Sequence, residues 1–382
     1  MSNYISGSSS KIGAHKEASF DYVASPLTSR QTSTALRMTS ESLQATYNKL
    51  DEGVLMASKT QPEQELGSVS VSGDVDTVLH PSFVGWLMEV GLGTKTHSAD
   101  ATVGTENVGT NPRNAVMEED IYTLADVNED LPSSGVELWR GDEGFYYSGM
   151  TVSTLSIEAP AQDFVKANIS FAGTRETYIG QQGEDSAEPQ PKITAASTDG
   201  SYKCTKAKLY PATAGSDDLD TNFNFDFEVC PSDKVYDVET STLTFDNGIE
   251  AVPATYCSGL YANQPSHGQR SVTLACNVPY SNSFETFRQT YYAQENPDKL
   301  ALALGFASKE TFTYIPTGEE SPETIPMHQV FVVLPNVSIS NISANASGDG
   351  LIDGSFTGTA LSIGATEPVK VYVRNYKFVA GE

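Results

Sequence analysis

The sequence is poor in cysteine, and it has no long apolar run. Four cysteines stand among 382 residues, none of them in a CxxC pair, which indicates structural thiols rather than disulfides or a metal finger. The longest apolar runs, such as 329–334, fall far short of the ~18–20 residues that span a bilayer. Residues 1–20 carry no signal-peptide pattern. We therefore expect synthesis in a cytoplasm and no membrane anchor.

Positive charge is also scarce. Lys and Arg number 23 against 49 Asp and Glu, so the formal net charge is −26. Proteins that grip nucleic acid use Lys and Arg to release counterions from phosphate, and anionic membranes attract the same residues. This negative net charge disfavours tight binding to nucleic acid or to anionic membranes. It is compatible with a protein that encloses DNA without holding it.

The chain does contain many short segments of alternating polarity. Val69 and Val71 alternate with serines, and 165–171 alternates Val, Ala, Ile and Phe with Lys, Asn and Ser. This period of two, with β-branched and hydroxyl side chains, is typical of strands. Turn signals such as Asp-Asn-Gly at 246–248 separate the segments. We predict an all-β fold with a few short helices.

Two helices are predicted. The first begins at Pro81, carries Phe83, Trp86, Leu87 and Val90 at helical spacing, and ends at the glycines 91 and 93. The second begins near Ser283 and carries Phe284, Phe287 and Tyr291 on one face. Both stripes indicate helices that cover a sheet.

An internal repeat organises the chain. Residues 68–75 resemble 271–278, residues 153–156 resemble 340–343, and 169–174 resemble 354–359, with a weaker match of 39–43 to 239–243. The blocks keep their order, which favours duplication over two unrelated β domains of similar composition. The predicted organisation is an extended N-terminal arm at 1–34, a first copy at 35–180 with a long loop at 94–148, a linker with connecting strands at 181–234, and a second copy at 235–382.

The sequence carries no recognisable catalytic or cofactor pattern. None of the five histidines has metal-site spacing, and there is no GxSxG elbow, dinucleotide loop or Walker motif. Acidic and amide residues alternate with Leu, Thr and Phe at 218–227; a calcium site there is weighed against a solvated polar face. Ligands spaced ~6.6–7 Å apart on one strand face cannot all meet one ion, so the polar face is favoured. We predict a non-enzyme without cofactor or metal.

Five blocks of the sequence stand out together: LRMTSESL at 36–43, GSVSVSGDV at 67–75, HPSFVGWLMEVGLG at 80–93, YSGMTV at 147–152 and LPNVSI at 334–339. In this order they resemble the tail tube (major tail) proteins of long-tailed, non-contractile, siphovirus-type phages. The resemblance covers most of 35–375 as a pattern of short blocks, whereas 1–34, 94–148 and 181–235 match poorly.

That resemblance implies duplicated tail-tube β-sandwich domains whose sheets join between subunits into a closed β-barrel ring. It implies homotrimeric rings with pseudo-sixfold symmetry, or hexameric rings, which stack into a tube for DNA. It further implies a tape measure protein, a tail terminator and tail-tip proteins as partners, and location in the virion tail. The poorly matching segments 1–34 and 94–148 are expected to make contacts between rings.

On this hypothesis the polar side of the repeated strands faces the bore. The predicted lumen-facing residues are Asp74, Asp76, Glu158, Asn168, Asn277 and Asp353. An acidic wall gives DNA no counterion-release gain and would leave the duplex mobile. For each of these residues, exposure on the outer wall is the competing expectation.

Two other functions stay open at this point. A carbohydrate-binding or adhesive β-sandwich could use Trp139, Tyr146 and Tyr147 as a sugar platform. A hydrolase would need two converging carboxylates, and no such pair can be identified from spacing alone.

Overall fold

The structure of the chain is a computed structural model. It describes residues 7–23, 27–50, 65–98, 100–106, 113–126, 129–183, 189–195, 197, 200–213, 238–249, 260–261, 263–265, 268–282, 284–285, 288–289, 300–345, 353–362 and 367–379. Within these ranges the chain consists of antiparallel strands with one long helix, so the all-β prediction is confirmed.

The first half of the chain contains twelve described strands and the helix. Short 3₁₀ turns lie at Gly7–Ser9 and Leu27–Ser29. The strands are β1 Lys11–Lys16, β2 Thr34–Ala35, β3 Met38–Glu41, β4 Gln44–Leu50, β5 Glu65–Val78, β6 Gly93–His97, β7 Ala101–Thr105, β8 Asn114–Leu124, β9 Ser134–Arg140, β10 Glu143–Pro160, β11 Lys166–Gly173 and β12 Arg175–Gln181, with α1 at Pro81–Leu92.

The second half contains nine described strands. They are β13 Lys203–Thr213, β14 Thr240–Asp246, β15 Ser271–Pro279, β16 Leu300–Ala307, β17 Thr311–Pro316, β18 Glu323–Pro326, β19 His328–Asn345, β20 Asp353–Ala360 and β21 Lys370–Val379. The second predicted helix is described only at five residues, which are helical: Asn282, Phe284, Glu285, Arg288 and Gln289. Phe284 is buried, while Phe287 and Tyr291 lie outside the described residues.

Helix α1 begins and ends where its local sequence predicts. The His80 ring accepts a hydrogen bond from the Ser82 amide at 3.1 Å, and Pro81 occupies the first turn. Gly93 ends the helix with φ +106°, a conformation that L side chains rarely adopt. Phe83 and Leu87 are fully buried against the sheet. The helix therefore covers one face of the strands around it.

One stretch of sheet, eight strands wide, runs through both halves of the chain, with β3 and β4 one after the other along its first edge. In the first half β5 pairs with β3 and β4 on one side and with β11 on the other, and β11 pairs with β10. In the second half β14 pairs with β15, β15 with β20, and β20 with β19. Strand β10 also pairs with β14 over seven residues, from Thr154 to Pro160, and this pairing makes the sheet continuous.

The other strands form a similar arrangement in each half. The pairing order is β1–β9–β10–β12 in the first half and β13–β16–β19–β21 in the second. Strands β10 and β19 each have 18 residues, and each belongs to both arrangements. One large apolar core collects side chains from the strands of both halves, from Ile12 to Val373. A smaller cluster contains Ala115, Phe312, Tyr314 and Tyr376.

The structure corrects two expectations about loops. The segment 94–148, predicted as a long loop, contains strands β6 to β9 and the start of β10, and β8 pairs with β21 along ten residues. The arm 1–34, predicted to be extended, contributes β1, which pairs with both β9 and β2. Four of the six residues of β1 are buried. Partners far along the chain supply the pairing that these segments lack locally.

Candidate functional site

The six residues predicted from the polar side of the strands share one face of the continuous sheet. Directly paired residues of antiparallel strands point to the same side, and the pairs connect all six. Asp74 is paired with Ser170, and Asp76 is paired with Asn168. The other pairs are Asn168–Ser156, Ser156–Thr244, Glu158–Thr242, Thr240–Asn277, Asn277–Ser355 and Pro279–Asp353.

This polar face lies opposite the core. The alternate residues of the same strands are buried, including Val75, Ile169, Leu243, Leu274 and Phe356. The paired polar positions of β5, β11, β10, β14, β15, β20 and β19 hold five carboxylates, those of Asp74, Asp76, Glu158, Asp246 and Asp353, and one ammonium, that of Lys166. Most of the remaining positions are Ser, Thr or Asn, so the face is hydroxyl-rich and negative.

Neutral side chains donate hydrogen bonds to two carboxylates of this face. The Asn168 amide donates to Asp76 at 2.7 Å, and the Ser40 hydroxyl donates to the same carboxylate at 2.5 Å. These bonds, with the Asn168 bond the largest cause, lower the pKa of Asp76. Ser170 donates to Asp74 at 2.6 Å. Because these partners carry no charge, the negative charge of the two aspartates is not cancelled locally.

A buried polar network anchors the N-terminal strand. The Arg30 guanidinium donates twice to Glu137, both at 2.8 Å, and both side chains are buried. The Glu17 carboxyl accepts from Ser133 and lies beside Asp21; burial raises the pKa of Glu17 to about 7. Local sequence does not predict this network, since Arg30 and Glu137, like Glu17 and Ser133, lie more than a hundred residues apart.

The aromatic residues of the carbohydrate-binding alternative are buried. Trp139, Tyr146 and Tyr147 are at most 1 % exposed. The Trp139 indole donates to Glu137 at 2.7 Å, and the Tyr146 ring stacks near His15. The predicted sugar platform was therefore wrong: these rings belong to the interior of the fold.

The described residues offer little for metal binding or thiol chemistry. They contain no group of three or more His, Cys, Asp or Glu side chains that could hold a metal ion. The alternating acidic stretch 218–227 lies outside them. Cys276 is a free, buried thiol, and burial raises its pKa to about 12, which makes it unreactive. None of the described helices is long and apolar enough to cross a membrane.

The edges of the continuous sheet were also missed by the sequence analysis. At one edge β4 exposes two large apolar side chains, Tyr47 at 52 % and Leu50 at 55 %, and the neighbouring Leu66 of β5 is 46 % exposed. At the other edge, residues 343–345 of β19 pair with β20 alone among the described strands. An exposed apolar edge is a surface for pairing with another chain.

Comparison with known proteins agrees with this geometry. A family model described as phage tail tube protein matches residues 7–367. No curated protein matches the chain. The matched range covers nearly the whole sequence, so the resemblance seen in its short blocks is confirmed. The chain belongs to the phage tail tube protein family and is a structural component of a virion tail.

Proposed function

We propose that the chain polymerises as stacked rings of three molecules into a tail tube with an acidic bore, through which DNA passes into the host. Family membership supports the structural role and self-assembly. The pairing of β10 with β14 is the observation that supports a ring of three molecules, because it joins two similar sheets inside one molecule. Three molecules would then supply six sheets.

Duplication is supported by the strand register. Phe171 is paired with Gly73, and Phe356 is paired with Cys276. Phe171 and Phe356 occupy the same position in the similar blocks 169–174 and 354–359. Gly73 and Cys276 occupy the same position in the similar blocks 68–75 and 271–278. Two unrelated β domains would have no reason to share both the strand order and the register. The repeated unit in this proposal spans 11–181 and 203–379, wider than the sequence blocks suggest, because β1 and β13 hold similar places.

The acidic bore is supported by the polar face. The seven strands of this face present mainly Asp, Asn, Ser and Thr side chains on the side away from the core. Duplex DNA carries one negative charge per ~1.7 Å of its axis, and it binds tightly only where cations replace its counterions. A wall that carries Asp74, Asp76, Glu158, Asn168, Asn277 and Asp353 would repel DNA weakly and keep it hydrated.

The remaining partners are those that the resemblance to tail tube proteins implies. We assign it to a non-contractile, siphovirus-type tail, made in the host cytoplasm, with a tape measure protein inside it during assembly, a terminator at one end and tip proteins at the other. No cofactor or metal is part of this proposal, and the role is mechanical, without catalysis. The carbohydrate-binding alternative loses its support, since its aromatic rings are buried.

Charge reversal on the polar face tests the bore. A variant with Asp74→Lys and Glu158→Lys should still form tubes, because neither side chain is in the core. Phages that carry it should eject DNA more slowly at low salt and recover at high salt, since salt screens the new attraction. The matched control is a double charge reversal of similar size at Glu319 and Glu320, which are exposed beyond β17. Equal ejection rates for the two variants would contradict an acidic bore formed by this face.

A further inference from the structure

The continuous sheet ends at two edges, β4 and the C-terminal end of β19, and each edge strand has a counterpart at the internal joint of β10 with β14. Strand β4 lies beside β5 as β14 lies beside β15. Tyr47 is paired with Val69, and Phe245 is paired with Val272. The two valines match in the similar blocks 68–75 and 271–278. Tyr47 therefore occupies the position of Phe245.

The opposite edge has its own counterpart. Leu155 of β10 is paired with Ile169, and Ala344 of β19 is paired with Gly354. Ile169 and Gly354 match in the blocks 169–174 and 354–359, so Ala344 occupies the position of Leu155. This register is two residues away from the sequence match of 153–156 with 340–343, and here the strand pairing is followed rather than the short sequence match.

Within the molecule these two positions meet. Leu155 is paired directly with Phe245 where β10 joins β14, and both side chains are about 1 % exposed or less. Their counterparts at the edges are more open. Tyr47 is 52 % exposed, although its alternation along β4 places it on the core side of the sheet. None of the described strands pairs with β4 at Tyr47 as β10 pairs with β14 at Phe245.

From this comparison we infer that β4 of one molecule pairs antiparallel with the C-terminal end of β19 of a second copy, in the register of the internal joint. The pairs are Ser343 with Asn48, Ala344 with Tyr47, and Asn345 with Thr46, matching Thr154–Asp246, Leu155–Phe245 and Ser156–Thr244. The inference rests on the proposed ring, and it names the strands and the register that close it. The backbone groups of both edges would then be satisfied as they are inside the sheet.

Engineered disulfides test this register. In the double variant Ser343→Cys with Asn48→Cys, the two cysteines would lie directly opposite each other across two molecules. Within one molecule they lie seven interstrand spacings of about 4.8 Å apart, so an internal bond is excluded. The matched control is Ser343→Cys with Thr46→Cys, which moves one partner by two residues and keeps it on the same face at a diagonal distance of about 7–8 Å. Mild oxidation of assembled protein, followed by a non-reducing gel, reads the result, with wild type reporting on native thiols.

The expected result is covalent trimers as the largest product of the in-register variant, and monomers from the control. If the wild type forms tubes and the two variants cross-link equally, or neither cross-links, the register is overturned and the proposed tube is not. Covalent trimers from a protein that never forms tubes would support the register and overturn the proposed function. Covalent hexamers would support the strand pairing and overturn the ring of three.

Discussion

Replacement of Tyr47 by Ser should weaken assembly without weakening the fold. The ring is 52 % exposed in the single molecule, whereas Phe245 in the matching internal position is 1 % exposed. A tyrosine buries about 200 Å² when fully enclosed, so pairing would bury about 100 Å² more. At about 25 cal/mol per Å² this contributes about 2.5 kcal/mol to each contact between molecules. The association constant of one contact should therefore fall about 50-fold.

Sedimentation of assembled protein across a concentration series measures this effect as a rise in the critical concentration. Thermal unfolding of the unassembled protein should change little, because an exposed side chain contributes little to stability. Tyr22→Ser is the matched control, since Tyr22 is 51 % exposed and lies outside the strands. Equal critical concentrations for the two variants would refute the argument that β4 is covered by another copy.

Two further predictions concern the network around β1. The pKa of Glu17 is raised from 4.5 to about 7, so the stability that its neutral form supplies is complete below pH 4.5 and is lost as pH rises through 7. Glu17→Gln should remove about 3 kcal/mol of this pH dependence of the free energy of unfolding, as measured in urea titrations. Arg30→Met leaves Glu137 buried without its cation and should lower the free energy of unfolding by about 3–5 kcal/mol. The control Lys16→Met breaks an exposed ion pair with Glu89 and should lower it by under about 1 kcal/mol. Equal losses of stability in the two variants would contradict the role assigned to burial.

Local sequence predicted the elements whose signals are local. The alternation of Val272, Leu274, Cys276 and Val278 with exposed residues matches the burial of β15 residue by residue. Helix α1 was predicted from Pro81 and the terminal glycines because capping and φ preferences act within a few residues. The polar side of the repeated strands was predicted for the same reason, since period-two alternation fixes which residues share a face.

The missed elements depend on partners that are distant in sequence. Strand β8 carries several acidic residues and resembles a loop in composition. In the structure Glu119 accepts from Arg374 at 2.5 Å, and Glu118 pairs with Lys377, across the junction with β21. Each of these pairs spans more than 250 positions. The joint of β10 with β14 is also nonlocal, and only a structure shows that it makes one sheet from two.

In the proposed ring of three, the internal joint would help the ring to form. The seven-residue pairing of β10 with β14 lies within one chain, so half of the six sheet contacts in such a ring would need no encounter between molecules. Only the proposed contacts between β4 and β19 would pay the entropy of association. The proposal also accounts for the difference in exposure, because Phe245 is buried within the chain and Tyr47 would be covered only on assembly.

Cryo-electron microscopy of assembled tubes would show whether the sheet closes around a bore. We expect rings of three chains with sixfold appearance, one unbroken sheet around a bore, and the carboxylates of Asp74, Asp76, Glu158 and Asp353 on its inner wall. Rings of six chains, sheets that stop at β4 and β19, or a polar face turned outward would contradict this proposal.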